Sequence, residues 1–422
     1  MKTIIFIGTQ KSGSSREAIR IAEKLGYYTV LFTDRLSFIE KRTEFPDVHL
    51  MQLCELNSFL EIRSNIYDLL HKAIKISAIV CFVDGHCHMA CLLAEEFGVS
   101  CFSTQAVRNM EDKVISRQII SQMPYAPRFV VLFDDLSLTY VQDRIKTGFP
   151  FIMKYPRSAG SKDVFLINNE EEYVKCIKRI KQKDPDNPVL VEEYLDGPQY
   201  IVEVITYKQV VFIIAVIKQE ITYSKRFIIT GYSLQLNLTN HFMESLREAV
   251  ESIIHNHHLE TGACHLEMRL VENKWKLIEC NPRISGGGMN KLLKCGLGIN
   301  LVQETLKIAL GQEPNLVPVC RQHVFAQYIT SAKVGILKKV TGRKRAAQCP
   351  GVREIYVKPR KGTMLGPPIS MGHRYAYVIA SGDTEQEAEA NAKYAASQIK
   401  FELTPINTVK EEARESCKTF DE

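Results

Sequence analysis

The sequence lacks any apolar run of the roughly 20 residues that a membrane-spanning helix requires. Its N-terminus holds only a short apolar run, Thr3 to Gly8, and polar residues follow it at once. A signal peptide has a longer apolar region and a small-residue cleavage site. We therefore expect a cytoplasmic protein with no membrane partner, in which this run forms the first buried strand.

A disulfide framework is absent as well. Twelve cysteines are scattered along 422 residues without a repeated CxxC spacing, which favours reduced thiols in the core. The segment from Asp84 to His88, together with Cys91, looks like a zinc site. Its four His and Cys residues, His86, Cys87, His88 and Cys91, lie within six residues, however, and such ligands do not easily close a tetrahedron. We therefore predict no metal ion there.

A Walker-type phosphate loop is also missing. The segments 8–15 and 156–164 are rich in small residues, but neither has the Gly-Lys-Ser/Thr ending. The first is typical of a strand-to-helix turn, whereas the second can offer backbone N–H groups to phosphate oxygens. The net charge of +6 suits an enzyme that handles phosphates. We interpret the basic clusters at 338–345 and 358–361 as solvated surface and expect no nucleic-acid partner.

Strand and helix patterns alternate through the first hundred residues, which predicts a parallel sheet with helices on both faces. Val99–Phe102 is predicted as one of its strands. Further along, Ala263–Leu270 and Trp275–Asn281 predict a hairpin with its turn near Glu272 and Asn273. A late helix is predicted over Thr384–Gln398, with Thr384 as N-cap.

The predicted hairpin places two acidic side chains opposite each other. Side chains alternate along a strand, so with the turn centred on Asn273, Glu267 lies opposite Glu279, and His265 lies opposite Asn281. The same alternation predicts one shared face for Trp275, Leu277, Glu279 and Asn281.

Opposed carboxylates repel each other, and a divalent cation between them would turn that repulsion into a binding site. Glu267, Glu279 and Asn281 supply hard oxygen ligands, which suit Mg²⁺ shared with substrate phosphates. A sheet that is merely acidic on its solvent side is the alternative.

Candidate phosphate contacts surround this hairpin in the sequence. Arg283 follows it directly, and its planar guanidinium can bridge a phosphate and a carboxylate. Three glycines, 286–288, let the backbone approach an anion. Lys113 begins a helical pattern and Lys154 ends an apolar strand, where each is a phosphate contact or an ordinary surface lysine.

The order of these segments resembles the ATP-grasp superfamily, which includes D-alanine–D-alanine ligase, biotin carboxylase and the bacterial L-amino acid ligases. The shared order is two lysines, a small-residue loop, Glu-Glu-Tyr-Leu-x-Gly at 192–197, a strand glutamate, and Glu-x-Asn-x-Arg at 279–283. The resemblance covers most of the chain, which looks most similar to the L-amino acid ligases that make dipeptides.

This resemblance implies an α/β architecture with the ATP-grasp fold. An N-terminal parallel α/β domain (1–107) is expected to precede a two-lobed ATP-grasp core (108–315). The core's lobes are expected at 108–196, with the phosphate lid, and at 197–315, with the metal site. A C-terminal α+β lobe (316–422) completes the expected organisation.

The resemblance also implies cofactors and residue roles. ATP and Mg²⁺ are expected, with two Mg²⁺ ions and Mn²⁺ as an alternative. Arg283 is expected to steady the acyl phosphate and the tetrahedral intermediate, and Lys154 is the second expected catalytic residue. The expected metal ligands are Glu267, Glu279 and Asn281. The expected substrate contacts are Ile229, Tyr232, Arg283, Gly286 and Gly287. The expected ATP contacts are Lys113, Lys154, Ser158, Ala159, Gly160, Ser161, Lys162, Glu192, Glu193, Tyr194, Leu195 and Gln199.

Two segments depart from the superfamily pattern. Gln199 stands where many relatives have an acid that contacts the ribose. Amino acid ligases carry Glu-Thr-Gly-His in the acceptor pocket, whereas this chain has Ile-Thr-Gly-Tyr at 229–232. The acid that would hold a substrate ammonium is therefore absent, and Glu203 and Glu220 are the candidates to replace it.

These features predict an ADP-forming ligase that activates a carboxylate as an acyl phosphate and transfers the acyl group to an amine. The expected substrates are two L-amino acids, or a small carboxylic acid and an amino acid, and a homodimer is left open. One rival is a carboxylase-like or carboxylate–thiol ATP-grasp ligase. The other is a non-catalytic ATP-binding regulator, which loss of the metal ligands would favour.

Overall fold

The computed structural model describes residues 2–133, 136–156, 163–223 and 226–405. The chain divides into two compact units. The first unit comprises residues 1–157, 166–216 and 237–319, and the second comprises 158–165, 217–236 and 320–422. The domain boundaries expected from the sequence stay a prediction. No helix in the described ranges is long and apolar enough to cross a membrane.

The first unit begins with the expected alternation of strands and helices: β1 (Lys2–Ile7), α1 (Ser14–Lys24), β2 (Tyr28–Thr33), α2 (Leu36–Glu40), β3 (Leu50–Leu53), α3 (Phe59–His71), β4 (Lys75–Val80), α4 (Cys87–Glu96) and α5 (Thr104–Glu111). The strands are parallel in the order β3-β2-β1-β4. Apolar residues of β1, β2, β4, α3 and α4 form their core. The strand predicted at Val99–Phe102 is wrong, because the Val99 N–H instead closes the end of α4 on the Ala94 carbonyl, at 2.8 Å.

A second, mostly antiparallel group of elements follows: α6 (Lys113–Ile119), β5 (Phe129–Leu132), α7 (Leu138–Ile145), β6 (Phe151–Lys154), β7 (Val164–Ile167), α8 (Glu170–Lys183) and β8 (Val189–Glu193). Its strands lie in the order β5-β8-β6-β7. Asp112 caps α6 by accepting hydrogen bonds from the Val114 and Ile115 amides. This cap fixes Lys113 as the first residue of the helix.

The remaining elements of the middle region are β9 (Gln199–Tyr207), β10 (Val210–Tyr223), β11 (Phe227–Leu234), α9 (Asn240–Asn256), β12 (Gly262–Val271), β13 (Lys274–Asn281), α10 (Met289–Leu297) and α11 (Leu301–Ala309). In the first unit the strand order is β13-β12-β9-β10. Strand β10 contributes residues up to Val216 to the first unit and those from Ile217 to the second. One face of β9, β12 and β13 packs against α9 around Tyr200, Phe242 and Trp275.

The hairpin formed by β12 and β13 has the pairing that the sequence predicts. Its turn residues, Glu272 and Asn273, have φ values of 48° and 60°. Glu267 pairs with Glu279. His265 pairs with Asn281. The predicted opposition of the two carboxylate-bearing residues is therefore confirmed.

The predicted shared face on β13 is wrong. The register shifts between Glu267 and Met268, so that Met268 pairs with Leu277 and leaves Ile278 as the extra residue of a β-bulge. Trp275 and Leu277 consequently lie in the core, whereas Glu279, on the other side of the bulge, lies on the face that Glu267 occupies. At the bulge, the Leu277 N–H donates to the Tyr125 carbonyl, at 2.8 Å.

The second unit is built mainly from the C-terminal elements: β14 (His323–Ile329), β15 (Gly335–Thr341), α12 (Arg343–Ala347), β16 (Val352–Val357), β17 (Met364–Leu365), β18 (Ala376–Gly382), α13 (Glu385–Gln398) and β19 (Lys400–Thr404). Its larger sheet has the order β10-β11-β14-β18-β16, and a smaller sheet has the order β17-β15-β19. The predicted late helix is α13. Thr384 is its N-cap, as predicted, and accepts a hydrogen bond from the Glu387 amide at 3.1 Å.

Two glycines of the second unit, Gly342 and Gly362, allow the cost of backbone strain to be compared with the cost of steric overlap. Gly342 and Gly362 have φ values of 79° and 88°, so a side chain at either position is strained. A Cβ at Gly342 would overlap the Gln398 carbonyl, whereas nothing lies within 4 Å of a Cβ at Gly362. We expect Gly362→Ala to lower the free energy of unfolding by about 1–2 kcal/mol and Gly342→Ala to lower it clearly more. Urea denaturation of both variants checks this, and equal losses would contradict it.

Candidate active site

A buried carboxylate organises one side of the site. Glu192, in β8, is 3% exposed and is bound by both Arg117 and Lys154. Burial alone would raise its pKa, but the two cations prevail and lower the pKa of Glu192 to about 2. Lys154, expected to contact phosphate, therefore lies with its ammonium beside an ionised carboxylate.

Arg117 links this carboxylate to the bulge on β13. Its Nε donates to Glu192 at 2.5 Å, and its second terminal nitrogen donates to the Ile278 carbonyl at 2.6 Å. Arg117 is 3% exposed. It thus joins α6, β8 and β13 at the point where Lys113, Lys154 and Glu279 line one pocket.

The opposed glutamates are held from both sides. Lys113 Nζ lies 3.1 Å from Glu279 Oε1. The Gln199 side-chain amide donates to Glu267 Oε2 at 3.1 Å, and Arg269 Nε in turn donates to Gln199 Oε1 at 3.0 Å. Gln199, expected at the ribose, therefore has its amide oriented by Arg269 and directed at Glu267.

The electrostatics of the pair fit a divalent cation. Burial first, and the Glu279 carboxylate second, raise the pKa of Glu267 to about 7. A cation between the two carboxylates would remove that repulsion and favour the ionised form. Glu267, Glu279 and the neighbouring Asn281 are the residues that would hold it. In the described part of the chain, no group of three His, Cys, Asp or Glu side chains could hold a metal ion, at 84–91 or elsewhere.

Arg283 is held on its backbone and on its side chain. Its carbonyl oxygen lies 2.8 Å from Nδ1 of the buried His265. Its guanidinium binds Asp84, with Nε at 2.5 Å from Oδ1, and also donates to the Ile284 carbonyl. Burial, followed by the Arg283 charge, lowers the pKa of His265 to about 4, so this imidazole is neutral at physiological pH.

The loop after Arg283 is fixed by two strands and by the N-terminal loop. Ser285 donates through its amide and its hydroxyl to the fully buried Glu203. Its own carbonyl accepts from the Ser14 hydroxyl at 2.7 Å. Gly13 approaches Gly287 so closely that a Cβ at Gly13 would lie 3.1 Å from the Gly287 nitrogen. Next to these contacts, Gly286 and Gly287 are exposed, which suits the expected substrate contact.

The expected adenine-facing segment is bonded within the first unit. Glu193 forms an ion pair with Arg128 at 2.7 Å. Arg269 binds the Leu195 carbonyl and lies 5.5 Å from the centre of the Tyr194 ring. These contacts shape the segment, while its role at adenine and ribose stays a prediction.

Other expected site residues lie elsewhere. Ile229 and Tyr232 belong to the second unit, where both are buried and the Tyr232 hydroxyl accepts from Arg374 at 2.8 Å. The expected lid residues Ser158, Ala159, Gly160, Ser161 and Lys162 lie outside the described residues.

Sequence reasoning missed three residues that position the site. Arg117 carries a usable signal, because it stands four residues after Lys113 and therefore on the same helix face. Asp84 and Arg269 carry no such signal in the sequence. Long-range pairs such as Asp84 with Arg283 leave no spacing pattern in one sequence.

Two family models match the chain. Residues 147–291 match the ATP-grasp domain, and residues 327–404 match the L-amino acid ligase C-terminal domain 2. The chain therefore contains an ATP-grasp domain followed by an L-amino acid ligase C-terminal domain. The resemblance drawn from the sequence is thereby confirmed.

The relatives found by sequence are distant. The uncharacterized protein y4rH of Sinorhizobium fredii is 26% identical over 62% of this chain and 54% of that protein. Dapdiamide A synthase of Enterobacter agglomerans is 22% identical over 57% of this chain and 54% of that enzyme. The L-arginine-specific L-amino acid ligase of Bacillus subtilis is 18% identical over 58% and 60%, respectively. The chain thus spans only a little over half the length of these relatives.

A structural match confirms the expected fold. The L-amino acid ligase of Bacillus licheniformis superposes with a TM-score of 0.80, covering 96% of this chain and 99% of that one at 16% identity. Phosphoribosylglycinamide synthetase of Anaerococcus prevotii gives a TM-score of 0.73 over the same shares at 15% identity. At such identities the likeness establishes the mixed α/β ATP-grasp fold alone.

The buried charge of Glu192 makes a prediction about stability. Glu192→Gln leaves Arg117 and Lys154 without their shared carboxylate, so we expect the free energy of unfolding to fall by about 3–5 kcal/mol at pH 7. The folded-state pKa of Glu192 is depressed, so its contribution is present above the ordinary pKa of 4.5 and is lost as the pH falls toward about 2. Urea denaturation of both proteins across this range should show the difference shrinking.

Glu171→Gln is the control for that experiment. It removes the same charge from an exposed helical pair with Lys175, where solvent screens the interaction. A loss of stability as large as that of Glu192→Gln would contradict the assignment, as would a difference that does not depend on pH.

Proposed function

We propose that this protein is an ADP-forming ATP-grasp ligase that joins a small carboxylate to an amine, with two L-amino acids as the preferred pair. The observation that carries the proposal is the opposed pair Glu267 and Glu279, with Lys113 3.1 Å from Glu279 and with Arg283 near enough to Glu267 to favour its ionised form. Carboxylates placed together at the cost of a raised pKa are typical of sites for a cation and phosphates. The relatives named as amino acid ligases support the choice of substrates.

Different residues of the chain would bind the phosphates of ATP and the cation. Lys113 and Lys154 would contact the phosphates of ATP, and Glu267, Glu279 and Asn281 would hold Mg²⁺. When bound, the cation withdraws charge from the phosphate oxygens during transfer to the carboxylate. We extend the proposal to two Mg²⁺ ions, which Mn²⁺ can replace, and to a cytoplasmic location.

Arg283 would act on the acyl phosphate. Its guanidinium is held by Asp84 and by the Ile284 carbonyl. Such preorganised donors stabilise an oxyanion without reorganisation at the moment of reaction. The amine would then attack the acyl carbon, and the C–O bond to the phosphate would break to release inorganic phosphate. The exposed Gly286 and Gly287 would let a substrate lie against the backbone. The product is an amide or a peptide.

The metal assignment predicts the behaviour of Glu279→Gln. The variant loses a charged ligand, so ADP formation should fall at least about 100-fold, the factor that about 2.7 kcal/mol of lost transition-state stabilisation produces. ATP binding should persist more weakly. Glu272→Gln, at the exposed turn of the same hairpin, is the matched control and should retain activity. Full activity of Glu279→Gln would sink the assignment.

A substrate panel tests the function itself. Purified protein is mixed with ATP, Mg²⁺ and pairs of L-amino acids or small carboxylic acids, and ADP and products are measured by mass spectrometry. The proposal expects ADP only when a carboxylate and an amine are both present, together with an amide product. ADP formed with bicarbonate or with a thiol would favour the other ATP-grasp ligases. Binding of ATP without ADP under every condition would favour a regulator.

A further inference from the structure

The site as described lacks an acid for a substrate ammonium. Ile229, at the position of the glutamate in amino acid ligases, is apolar. Glu203 is fully buried and bound by Ser285. Glu220, in the second unit, accepts from Thr230 at one oxygen and from Lys393, at 2.6 Å, at the other. Neither expected replacement is therefore well suited to the task.

Asp84 is a carboxylate of the first unit that meets the requirement. It lies in the loop between β4 and α4, where both bonds from Arg283, through Nε and a terminal nitrogen, converge on Oδ1. The side chain is 38% exposed. Within the described ranges, Oδ2 has no hydrogen bond. Burial alone would raise the pKa of Asp84, but Arg283, His265 and Lys113 lower it, so the group stays ionised.

The adjacent charges of Arg283 and Asp84 match the carboxylate and the ammonium of a zwitterionic amino acid. In an α-amino acid only one carbon separates the carboxylate from the ammonium, so a carboxylate held beside Arg283 places the ammonium within reach of the carboxylate that Arg283 already contacts. Withdrawing an ammonium from water is costly without such a partner. Charge-assisted hydrogen bonds to a carboxylate offset that cost.

We propose that Asp84 binds the α-ammonium group of the amino acid whose carboxylate is activated beside Arg283. This inference rests on the proposed function and narrows the first substrate to α-amino acids with a free amino group. It also gives a role to Asp84 within the segment Asp84–His88, which resembles a metal site in the sequence but contacts Arg283 in the structure.

The experiment compares an amino acid with its des-amino analogue. Hydroxylamine replaces the second substrate, because it traps an activated acyl group as a hydroxamate and so reports carboxylate activation alone. Wild-type protein is first tested with the twenty L-amino acids, and the best of them is then paired with the carboxylic acid that lacks its amino group. kcat/KM is measured for both with wild type, Asp84→Asn and Asp68→Asn.

Asp84→Asn preserves size and removes the charge. We expect kcat/KM for the amino acid to fall about 100-fold, because the variant loses the charge-assisted hydrogen bond to the bound ammonium, while that for the des-amino acid changes far less. Asp68→Asn, on the exposed face of α3, should leave both values unchanged. Asp84→Glu should recover part of the preference for the amino acid. Melting temperatures verify that each variant is folded.

Each other outcome is informative. An equal loss with both substrates overturns the inference, because it makes Asp84 a positioning residue for Arg283. A wild-type protein that activates des-amino acids as well as amino acids overturns it too. An Asp84→Asn protein that fails to fold leaves the wild-type preference and Asp84→Glu to decide, and a preference unaltered in Asp84→Glu would count against a direct contact. The absence of hydroxamate with every carboxylate refutes the proposed function itself.

Discussion

The ionised carboxylate of Glu192 is the constraint on which the candidate site depends. A buried charge is tolerated only when it is paired and hydrogen-bonded, and Glu192 obtains this from Arg117 and Lys154. The pairing fixes α6 and β6 against β8, and Arg117 extends it to β13 through the Ile278 carbonyl. Glu192 thus holds Lys154 directly, and through Arg117 it holds the helix that begins at Lys113.

Around Glu192, several polar side chains of the candidate site contact a second polar side chain that is itself held by a third. Arg269 orients Gln199, which meets Glu267, and Lys113 meets Glu279 on the opposite side. Each link fixes the next, so the residues that would touch substrate have little rotational freedom before any ligand arrives. Such preorganisation reduces the reorganisation that the reaction would otherwise require.

Sequence reasoning predicted the features that depend on local periodicity. The parallel sheet of β1 to β4 and helix α13 with its Thr384 cap follow from periodicity and capping. The opposition of Glu267 to Glu279 agrees with the predicted alternation, but it also depends on the bulge at Ile278, which no sequence pattern indicates. It did not predict contacts between distant segments, such as Arg283 with Asp84 or Ser285 with Glu203, because no spacing records them. The strand expected at Val99–Phe102 failed because a short apolar run does not distinguish a strand from the closure of a helix.

The bulge at Ile278 has a consequence for how this protein tolerates change. The predicted pairing assumed a turn centred on Asn273, whereas the turn lies half a residue earlier and the extra residue in β13 restores the alignment. The register at the ligands is therefore anchored from inside, by Arg117 on Ile278 and by Tyr125 on Leu277. The tip of the hairpin therefore does not set the pairing of Glu267 with Glu279. A change of turn length there should leave the two carboxylates opposite each other.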